Sequence, residues 1–532
     1  MKKKDIFTLE DARKIVAPKS FMTMLKPAGS SCNMDCTYCY YLDKAIQYGG
    51  KNAVMGDDLL ETYVRQYIEA NEVDTVQFNW HGGEPLLLGK EFYRKALSLQ
   101  KKYADGKRIE NTIQTNGTLV DEEWCELFVS GHFLVGISLD GPQDIHDAFR
   151  KSRSGNPSFS KVMEAISMFR SAGVEFNTLS VVSSLCEKRG GEIYRFFRDK
   201  VKSRYMQFLP AVEHVVDRPD FHRPVIVSPE TEGAYPAPWS VSSAGYGKFL
   251  CDVFDEWVIR DVGQTYVQMF DATLAQWCGV QPGVCSMCET CGDALVVERN
   301  GDVYSCDHFV YPEYLLGNIR ENTLKEIYAS RRRLEFGLAK RNTLPSECLK
   351  CRFYFACRGE CPKHRFATGE DGGRKNVLSD GLYAYFNHVE PYMDYMKGPT
   401  QKGFFEVGFF CVMQNDIRLQ FLKLQPISFL FVSGVLMMTC RSFLPHMATQ
   451  SAYAVAKAGL WAAVLPESIA EYFLRLCASA TRPNSTFTFL FDLRRNRLKP
   501  WLDLMSPNTA SGSTGRALLC ARPLSLVRSS LA

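Results

Sequence analysis

Between residues 20 and 210, short apolar runs alternate with longer segments in which apolar residues recur every three or four positions. The short runs are rich in β-branched and aromatic residues and predict strands, whereas the longer spacing predicts amphipathic helices. Strands that alternate with helices are typical of a parallel sheet with crossover helices, either open or closed into a barrel. The predicted strands are Phe21–Leu25, Thr75–Trp80, Ile109–Thr115, Leu134–Leu139, Glu175–Val182 and Tyr205–Leu209, and the predicted helices are Asp58–Ala70, Glu91–Tyr103, Asp121–Ser130 and Phe159–Ala172.

The alternation stops after residue 210. Residues 211–245 are rich in Pro, Ser, Gly and aromatic residues and predict a long loop or insertion, after which Gly247–Arg260 again has a helical pattern. Ala294–Cys306 predicts a β-hairpin, because its Asn300-Gly301 pair favours a tight turn. A second, loop-rich region therefore follows the alternating one.

The charge balance changes near residue 400. Residues 401–532 contain 14 Lys and Arg against 6 Asp and Glu, a net charge of +8, whereas residues 1–400 have a net charge of −4. The uncharged apolar run Leu424–Cys440 contains Pro426 and is slightly short for a membrane span, so a buried or disordered segment fits it equally well. Ser506–Ala532 lacks periodicity and predicts disorder. We expect 401–532 to be an atypical extension that is disordered or artefactual.

The totals exclude several classes of protein. With 532 residues, of which 46% are hydrophobic, the chain can bury more than one domain core. Its formal net charge of +4 is not that of a nucleic-acid-binding protein. No apolar segment follows the basic residues Lys2, Lys3 and Lys4, so we expect no signal peptide and a cytoplasmic protein. In that compartment the clustered members of its 19 cysteines predict metal ligands rather than disulfides.

Three cysteines follow the first predicted strand as Cys32-x3-Cys36-x2-Cys39. The carboxyl ends of parallel strands are where active sites lie in such folds. Three thiolates on one short loop suit a [4Fe–4S] cluster, because they leave one iron open for a substrate or cofactor. Structural thiols or a zinc knuckle are the alternatives, although zinc sites usually use Cys-x2-Cys pairs.

A second set of cysteines lies in the loop-rich region. Clustered cysteines with little continuous core predict a small domain that is held together by metal, and zinc is the alternative to iron–sulfur clusters here as well. Its members are Cys285, Cys288, Cys291, Cys306, Cys348, Cys351, Cys357 and Cys361.

The first motif resembles the signature of the radical S-adenosylmethionine (SAM) superfamily, with Tyr38 as the aromatic residue before the last cysteine. The resemblance implies that the open iron chelates the amino and carboxylate groups of SAM. Trp80-His81-Gly82-Gly83-Glu84-Pro85 is similar to the motif with which that superfamily contacts the SAM amine. The resemblance also implies cofactor roles for Ser138 at the ribose, for Arg150, and for Leu209 at the adenine.

The second set is similar to the SPASM domain, and the surrounding sequence resembles that of the anaerobic sulfatase-maturating enzymes from about Lys19 to Met396. The resemblance implies a partial (β/α)6 barrel in residues 1–240 and a SPASM domain with up to two auxiliary [4Fe–4S] clusters in 241–400. The family pattern has an eighth cysteine where this chain has Ser379, and it leaves Cys288 unassigned. The implied ligands are Cys285, Cys291, Cys306 and Cys361 for one cluster and Cys348, Cys351 and Cys357 for the other.

The resemblance further implies a reaction, in which a Cys or Ser of an unfolded sulfatase is oxidised to Cα-formylglycine. It implies Asp307 as the proton acceptor and Tyr41 and His81 at the substrate. The expected partners are the unfolded sulfatase polypeptide and a flavodoxin- or ferredoxin-like electron donor, with no nucleic acid and no membrane. The alternatives are another SPASM peptide maturase, which forms thioether or carbon–carbon crosslinks, and a non-catalytic iron–sulfur or zinc protein that binds peptides.

Overall fold

A computed structural model describes residues 20–42, 44, 54–219, 224–227 and 231–398, together with four strands between 427 and 500. The chain divides into two compact units, Met1–Val407 and Gly408–Ala532. The domain boundaries expected at 240 and 400 stay predictions. Of the second unit, the structure describes one antiparallel sheet, whose first two strands overlap the apolar run that begins at Leu424. Its strands, in order across the sheet, are Ile427–Val432, Val435–Arg441, Thr486–Asp492 and Arg497–Pro500. The predicted disorder of Ser506–Ala532 lies outside the described residues.

In the first unit, a mixed sheet has the strand order β10-β6-β5-β4-β3-β2-β1-β11-β12-β13. Strands β1 to β6 are parallel and adjacent in sequence order, which confirms the predicted parallel sheet. The strands are β1 Met22–Lys26, β2 Thr75–Trp80, β3 Arg108–Thr115, β4 Phe133–Ser138, β5 Phe176–Val182, β6 Tyr205–Pro210, β7 His214–Val216, β8 Val225–Ile226, β9 Tyr235–Pro236, β10 Tyr266–Val267, β11 Ala294–Glu298, β12 Asp302–Tyr304, β13 Leu315–Asn318, β14 Ala367–Thr368, β15 Arg374–Lys375, β16 Ile427–Val432, β17 Val435–Arg441, β18 Thr486–Asp492 and β19 Arg497–Pro500.

Helices connect the parallel strands and cover the sheet. Each predicted helix is present within a few residues of its predicted bounds, because apolar side chains at helical spacing meet the buried face of the sheet. The α-helices are α1 Asp57–Ala70, α2 Lys90–Tyr103, α3 Glu122–Ser130, α4 Gln143–Phe149, α5 Phe159–Ala172, α6 Gly190–Arg195, α7 Ser243–Arg260, α8 Gln268–Trp277, α9 Leu324–Tyr328, α10 Arg331–Asn342, α11 Ser346–Lys350, α12 Tyr354–Cys357 and α13 Ser379–Lys397.

The predicted hairpin of the loop-rich region joins the main sheet. Its first strand, β11, pairs in parallel with β1, so that Met22 lies opposite Ala294 and Lys26 lies opposite Glu298. Strands β12 and β13 then continue the sheet in antiparallel order. The cysteine-rich region is thereby fixed beside the strand that precedes the first cysteine motif.

The segment predicted as a long loop is partly ordered. Strand β7 pairs with β8 and β9 in a small antiparallel sheet. Val215, Ile226 and Trp239 from this segment share an apolar cluster with Cys36 and Tyr38. The prediction from composition missed these strands because they are only two or three residues long. The insertion therefore covers the first cysteine loop.

Within the described residues, no helix is long and apolar enough to span a lipid bilayer.

Candidate cofactor and active site

The loop after β1 brings Cys32, Cys36 and Cys39 together. Each of the first two thiols interacts electrostatically with the other members of this set, and Cys32 Sγ accepts a hydrogen bond of 3.3 Å from the Met34 amide. Burial raises the pKa of both Cys32 and Cys36 to about 12. Ionisation of these thiols thus needs a compensating cationic centre, and this donor set fits an iron–sulfur cluster.

The glycine motif packs directly on the chain that leads into the cysteine loop. Gly83 N–H donates to the Gly29 carbonyl at 2.8 Å, and Glu84 N–H donates to the Ser31 carbonyl at 2.8 Å. A Cβ at position 83 would lie closer than 3.0 Å to the Ser31 backbone. Gly82 has a φ of 130°, a conformation that favours glycine. The two glycines are therefore required to hold the two loops in register.

Glu84 is fully buried, and three donors of the protein fix its carboxylate. These are the Leu86 amide at 3.0 Å, the Thr115 hydroxyl at 2.7 Å and the Asn116 amide at 2.7 Å. Burial raises the pKa of Glu84 to about 7. Only one of the three bonds ends on Oε2, so this oxygen retains the capacity to accept from a ligand ammonium group.

Tyr38 and Arg150 meet around a residue that the sequence did not identify, Asp140. The Tyr38 hydroxyl donates to Asp140 and accepts from Arg150 Nη1 at 3.0 Å. Arg150 Nε is buried and has no hydrogen-bond partner among the described residues. Asp140 lies two residues beyond β4, a position at the carboxyl end of a strand that could have identified it from the sequence. Tyr38 and Asp140 thus fix Arg150 beside the cysteine loop, and Arg150 Nε remains available to donate a hydrogen bond to a ligand.

The remaining two residues that are predicted to contact the cofactor, Ser138 and Leu209, are at strand ends. Ser138 closes β4, and its hydroxyl accepts a hydrogen bond of 3.0 Å from Gln114 Nε2. Leu209 is 41% exposed on β6, in register with Val181 of β5. An exposed leucine at the carboxyl end of a strand is available to pack on an aromatic ligand, and its adenine role stays a prediction.

Asp307 is buried beside Lys26 through the pairing of β11 with β1. Lys26 Nζ forms an ion pair with one carboxylate oxygen, and the Tyr40 hydroxyl donates to the other. Although burial opposes ionisation, the Lys26 ammonium group holds the pKa of Asp307 well below its usual range. Asp307 is therefore ionised at neutral pH.

The tyrosine that binds Asp307 is Tyr40, whereas the neighbouring Tyr41 binds Glu298. The Tyr41 hydroxyl donates to both oxygens of buried Glu298, at 2.6 and 2.7 Å. Lys26 Nζ lies 3.5 Å from the centre of the Tyr41 ring. Tyr41 thus packs against Lys26, and the sequence analysis did not identify Tyr40 as the neighbour of Asp307. The substrate role of Tyr41 stays a prediction.

His81 lies at the same site and is partly buried. Burial lowers its pKa to about 4, with Asp307 and Lys26 as its charged neighbours. Its Nδ1 atom has no hydrogen-bond partner within the described part of the chain. A neutral imidazole with a buried unpaired nitrogen can accept from, or donate to, a bound polar group.

The structure brings the first auxiliary set together. Cys306 and Cys361 each interact electrostatically with Cys285 and Cys291, and burial raises the pKa of Cys291 to about 11. His308 Nδ1 lies 3.7 Å from Cys361 Sγ. Four thiols grouped in this way fit a [4Fe–4S] cluster.

The second auxiliary set does not fit a four-thiolate cluster fully. Cys357 interacts electrostatically with Cys348 and Cys351, and burial raises its pKa to about 12. Ser379 begins α13, and its hydroxyl lies 3.5 Å from Asp380 Oδ1. Among the described residues, no three His, Cys, Asp or Glu side chains are placed to hold a single metal ion.

Two observations concern the missing eighth thiolate. Lys375 Nζ lies 3.3 Å from Glu347, which precedes Cys348, and 3.4 Å from Asp380, which follows Ser379. The serine is thus at the same end of the region as the second set. Cys288 donates to the Val284 carbonyl at 3.4 Å and interacts with Cys285, a member of the first set.

We predict that Ser379→Cys raises the iron and sulfide content of anaerobically reconstituted protein, because a thiolate is a far better iron ligand than a serine hydroxyl. Ser379→Ala, the matched control, should leave both contents at the wild-type level. Equal iron and sulfide in all three proteins would contradict the prediction.

Comparisons with known proteins match regions of the chain that carry cysteines of both sets. A sequence model of the radical SAM superfamily matches residues 27–185, and one of the iron–sulfur cluster-binding SPASM domain matches residues 285–352. The chain is 50% identical over 381 residues to a serine-type anaerobic sulfatase-maturating enzyme of Bacteroides thetaiotaomicron, across 71% of this chain and 92% of that enzyme. It is 33% identical over 373 residues to a cysteine-type anaerobic sulfatase-maturating enzyme of Clostridium perfringens, across 69% of this chain and 96% of that enzyme.

Solved structures give the same match. The structure of native anSMEcpe with bound AdoMet and Cp18Cys peptide aligns with a TM-score of 0.62 and 30% identity, across 71% of this chain and 98% of that chain.

Proposed function

The chain belongs to the anaerobic sulfatase-maturating enzymes of the radical SAM superfamily, and we propose that it oxidises a Ser or Cys side chain of an unfolded sulfatase segment to Cα-formylglycine. The observation that carries the proposal is the buried Asp307 carboxylate, which Lys26 and Tyr40 hold where the first cysteine loop meets the SPASM hairpin.

The residues of the first site fit SAM on a [4Fe–4S] cluster. Cys32, Cys36 and Cys39 would hold the cluster, Glu84 Oε2 would accept from the SAM ammonium group, and Arg150 Nε offers a buried free donor. When bound, this cofactor supplies a 5′-deoxyadenosyl radical for hydrogen abstraction, and the auxiliary clusters supply an acceptor for the substrate electron.

Asp307 would receive the substrate proton. After a hydrogen atom has left Cβ, loss of one electron and one hydroxyl proton converts Ser to the aldehyde. The same loss converts Cys to a thioaldehyde, which water hydrolyses to the aldehyde with release of hydrogen sulfide. A carboxylate that is already ionised at neutral pH can accept this proton. Lys26 keeps the carboxylate ionised and oriented by the ion pair.

His81 and Tyr40 would position the substrate beside Asp307. The unpaired His81 Nδ1 is available for a hydrogen bond to the substrate, and burial keeps its ring neutral. Tyr40 fixes the second carboxylate oxygen, which leaves the remaining lone pairs of Asp307 for the substrate hydroxyl or thiol. We further propose a flavodoxin- or ferredoxin-like protein as the donor of the electron that starts each turnover, since SAM cleavage is a reduction.

The test is anaerobic incubation of reconstituted protein with SAM, a reductant and a peptide that contains the sulfatase motif with either Ser or Cys. We expect an aldehyde on the peptide, captured as an oxime by hydroxylamine and located by mass spectrometry. Crosslinked peptide has lost hydrogens but does not react with hydroxylamine, so the capture step separates the two reactions. Deoxyadenosine without aldehyde on either peptide would refute the sulfatase assignment and retain the superfamily.

A further inference from the structure

Arg365 is a buried arginine between the two auxiliary cysteine sets. It is 4% exposed, and its Nε and Nη2 atoms have no hydrogen-bond partner among the residues that the structure describes. Nη1 alone is anchored, by donation to the Thr343 hydroxyl at 3.1 Å. A buried guanidinium with two unpaired N–H directions is costly unless an acceptor completes the site.

The charged neighbours of Arg365 are mainly cysteines of these two sets. Its guanidinium interacts electrostatically with Cys291 and Cys361 of the first set and with Cys348 of the second. Glu360 is the nearby carboxylate, but His364 at 2.8 Å and Asn376 at 2.5 Å already bind it. The guanidinium that carries the two unpaired donors therefore interacts with sulfur ligands of both sets.

The backbone between the two sets explains this placement. Arg358, Gly359 and Glu360 have consecutive φ values of 51°, 74° and 49°, in a left-handed turn that separates Cys357 of the second set from Cys361 of the first. A Cβ at Gly359 would lie 3.1 Å from Arg365 Nη2. The turn thus brings the guanidinium against the chain that joins the two sets, and it stores backbone strain there.

We propose that Arg365 donates hydrogen bonds from Nε and Nη2 to sulfur atoms of both auxiliary clusters and raises their reduction potentials. The inference rests on the proposed function, which assigns these cysteines to clusters. Hydrogen bonds to cluster sulfur and positive charge both stabilise the more negative, reduced state. Arg365 would thereby set how readily the two auxiliary clusters accept the substrate electron.

The experiment is a potentiometric titration of anaerobically reconstituted protein, followed by electron paramagnetic resonance. Arg365→Met should lower the equilibrium constant for one-electron reduction of the auxiliary clusters about tenfold. This corresponds to a reduction potential that is lower by about 59 mV. The cluster of Cys32, Cys36 and Cys39 should keep its wild-type potential. Arg352→Met is the matched control and should leave the potentials unchanged. It removes a guanidinium that directly follows Cys351 in the chain but is exposed, so that water screens its charge.

Two further variants secure the test. Arg365→Lys should give intermediate potentials, because it keeps the charge but loses the planar fork. Arg365→Gln replaces the Met variant if the latter does not retain its clusters, with the same expected shift. If a neutral variant retains its iron and its auxiliary clusters have the wild-type potentials, the inference is overturned. If neither neutral variant retains its iron, wild-type potentials in Arg365→Lys would overturn it instead. Absence of auxiliary clusters from the wild-type protein would instead refute their assignment under the proposed function.

Discussion

Replacement of Asp307 by Asn is expected to lower the rate of formylglycine formation by about 10²–10⁴-fold, while cleavage of SAM continues. The amide has nearly the same shape as the carboxylate but cannot accept the substrate proton at neutral pH. The residues that fit SAM, Glu84 and Arg150, are bound by Leu86, Asn116 and Tyr38 and do not include Asp307. Deoxyadenosine should therefore still form, and its yield should no longer match that of aldehyde.

The same substitution has a structural cost, which the experiment must separate from the loss of chemistry. A neutral amide at this position would leave Lys26 as a buried cation without its partner, and breaking such a pair costs about 3–5 kcal/mol. Iron content and deoxyadenosine formation report whether the site is still assembled. The double variant Asp307→Asn/Lys26→Met removes the uncompensated charge and should regain stability without regaining aldehyde.

Asp302→Asn is the matched control for the loss of activity. Asp302 begins β12, the strand that precedes Asp307, and its carboxylate accepts from the Asn300 and Asn318 side-chain amides. We expect this variant to form aldehyde at about the wild-type rate. Aldehyde formation by Asp307→Asn at the wild-type rate, in protein with full iron content, would exclude Asp307 as the proton acceptor.

The strands and helices of the sheet could be predicted because their signals are local. Thr75–Trp80 and Phe159–Ala172 have the predicted bounds. Apolar residues at every second position of the strand, and at every third or fourth position of the helix, decide both the structure and the buried face of each. The cysteine sets could be predicted for a related reason, as thiolates at short spacing indicate a shared metal centre before any fold is known.

The immediate partners of Asp307 could not be predicted in this way. Lys26 and Asp307 are 281 positions apart and meet only because β11 adds to the edge of β1. No periodicity in either segment specifies the other as its neighbour. The same pairing buries Glu298 opposite Lys26 and draws Tyr41 toward Glu298, so Tyr40 is left to contact Asp307.

Single polar residues outside the motifs were missed for a different reason. An isolated Asp or Arg is usually a solvated surface residue, and only burial distinguishes Asp140 or Arg365 from that majority. For Arg365 the decisive feature is a pair of donors without acceptors among the described residues, which exists only once the side chains that surround it have been placed.

The second large effect is expected at Gly83. Gly83→Ala should lower the free energy of unfolding by about 3 kcal/mol and should abolish retention of the first cluster. The added methyl group would lie closer than 3.0 Å to the backbone of Ser31, and a backbone atom cannot rotate away as a side chain can. Relief requires separation of the glycine loop from residues 29–31, which breaks the 2.8 Å bonds that Gly83 and Glu84 donate to them.

Because Cys32 follows Ser31 directly, that separation would displace the first thiolate from the position that it shares with Cys36 and Cys39. The auxiliary sets are far along the chain and should keep their iron, so the variant is expected to lose one cluster selectively. Urea unfolding followed by circular dichroism and iron analysis measures the two effects. Gly191→Ala is the matched control, since its methyl group would meet only the ends of the flexible Arg195 and Glu256 side chains and a helical alanine is favourable. Wild-type stability and iron content in Gly83→Ala would show that the glycine loop does not hold the cysteine loop in register.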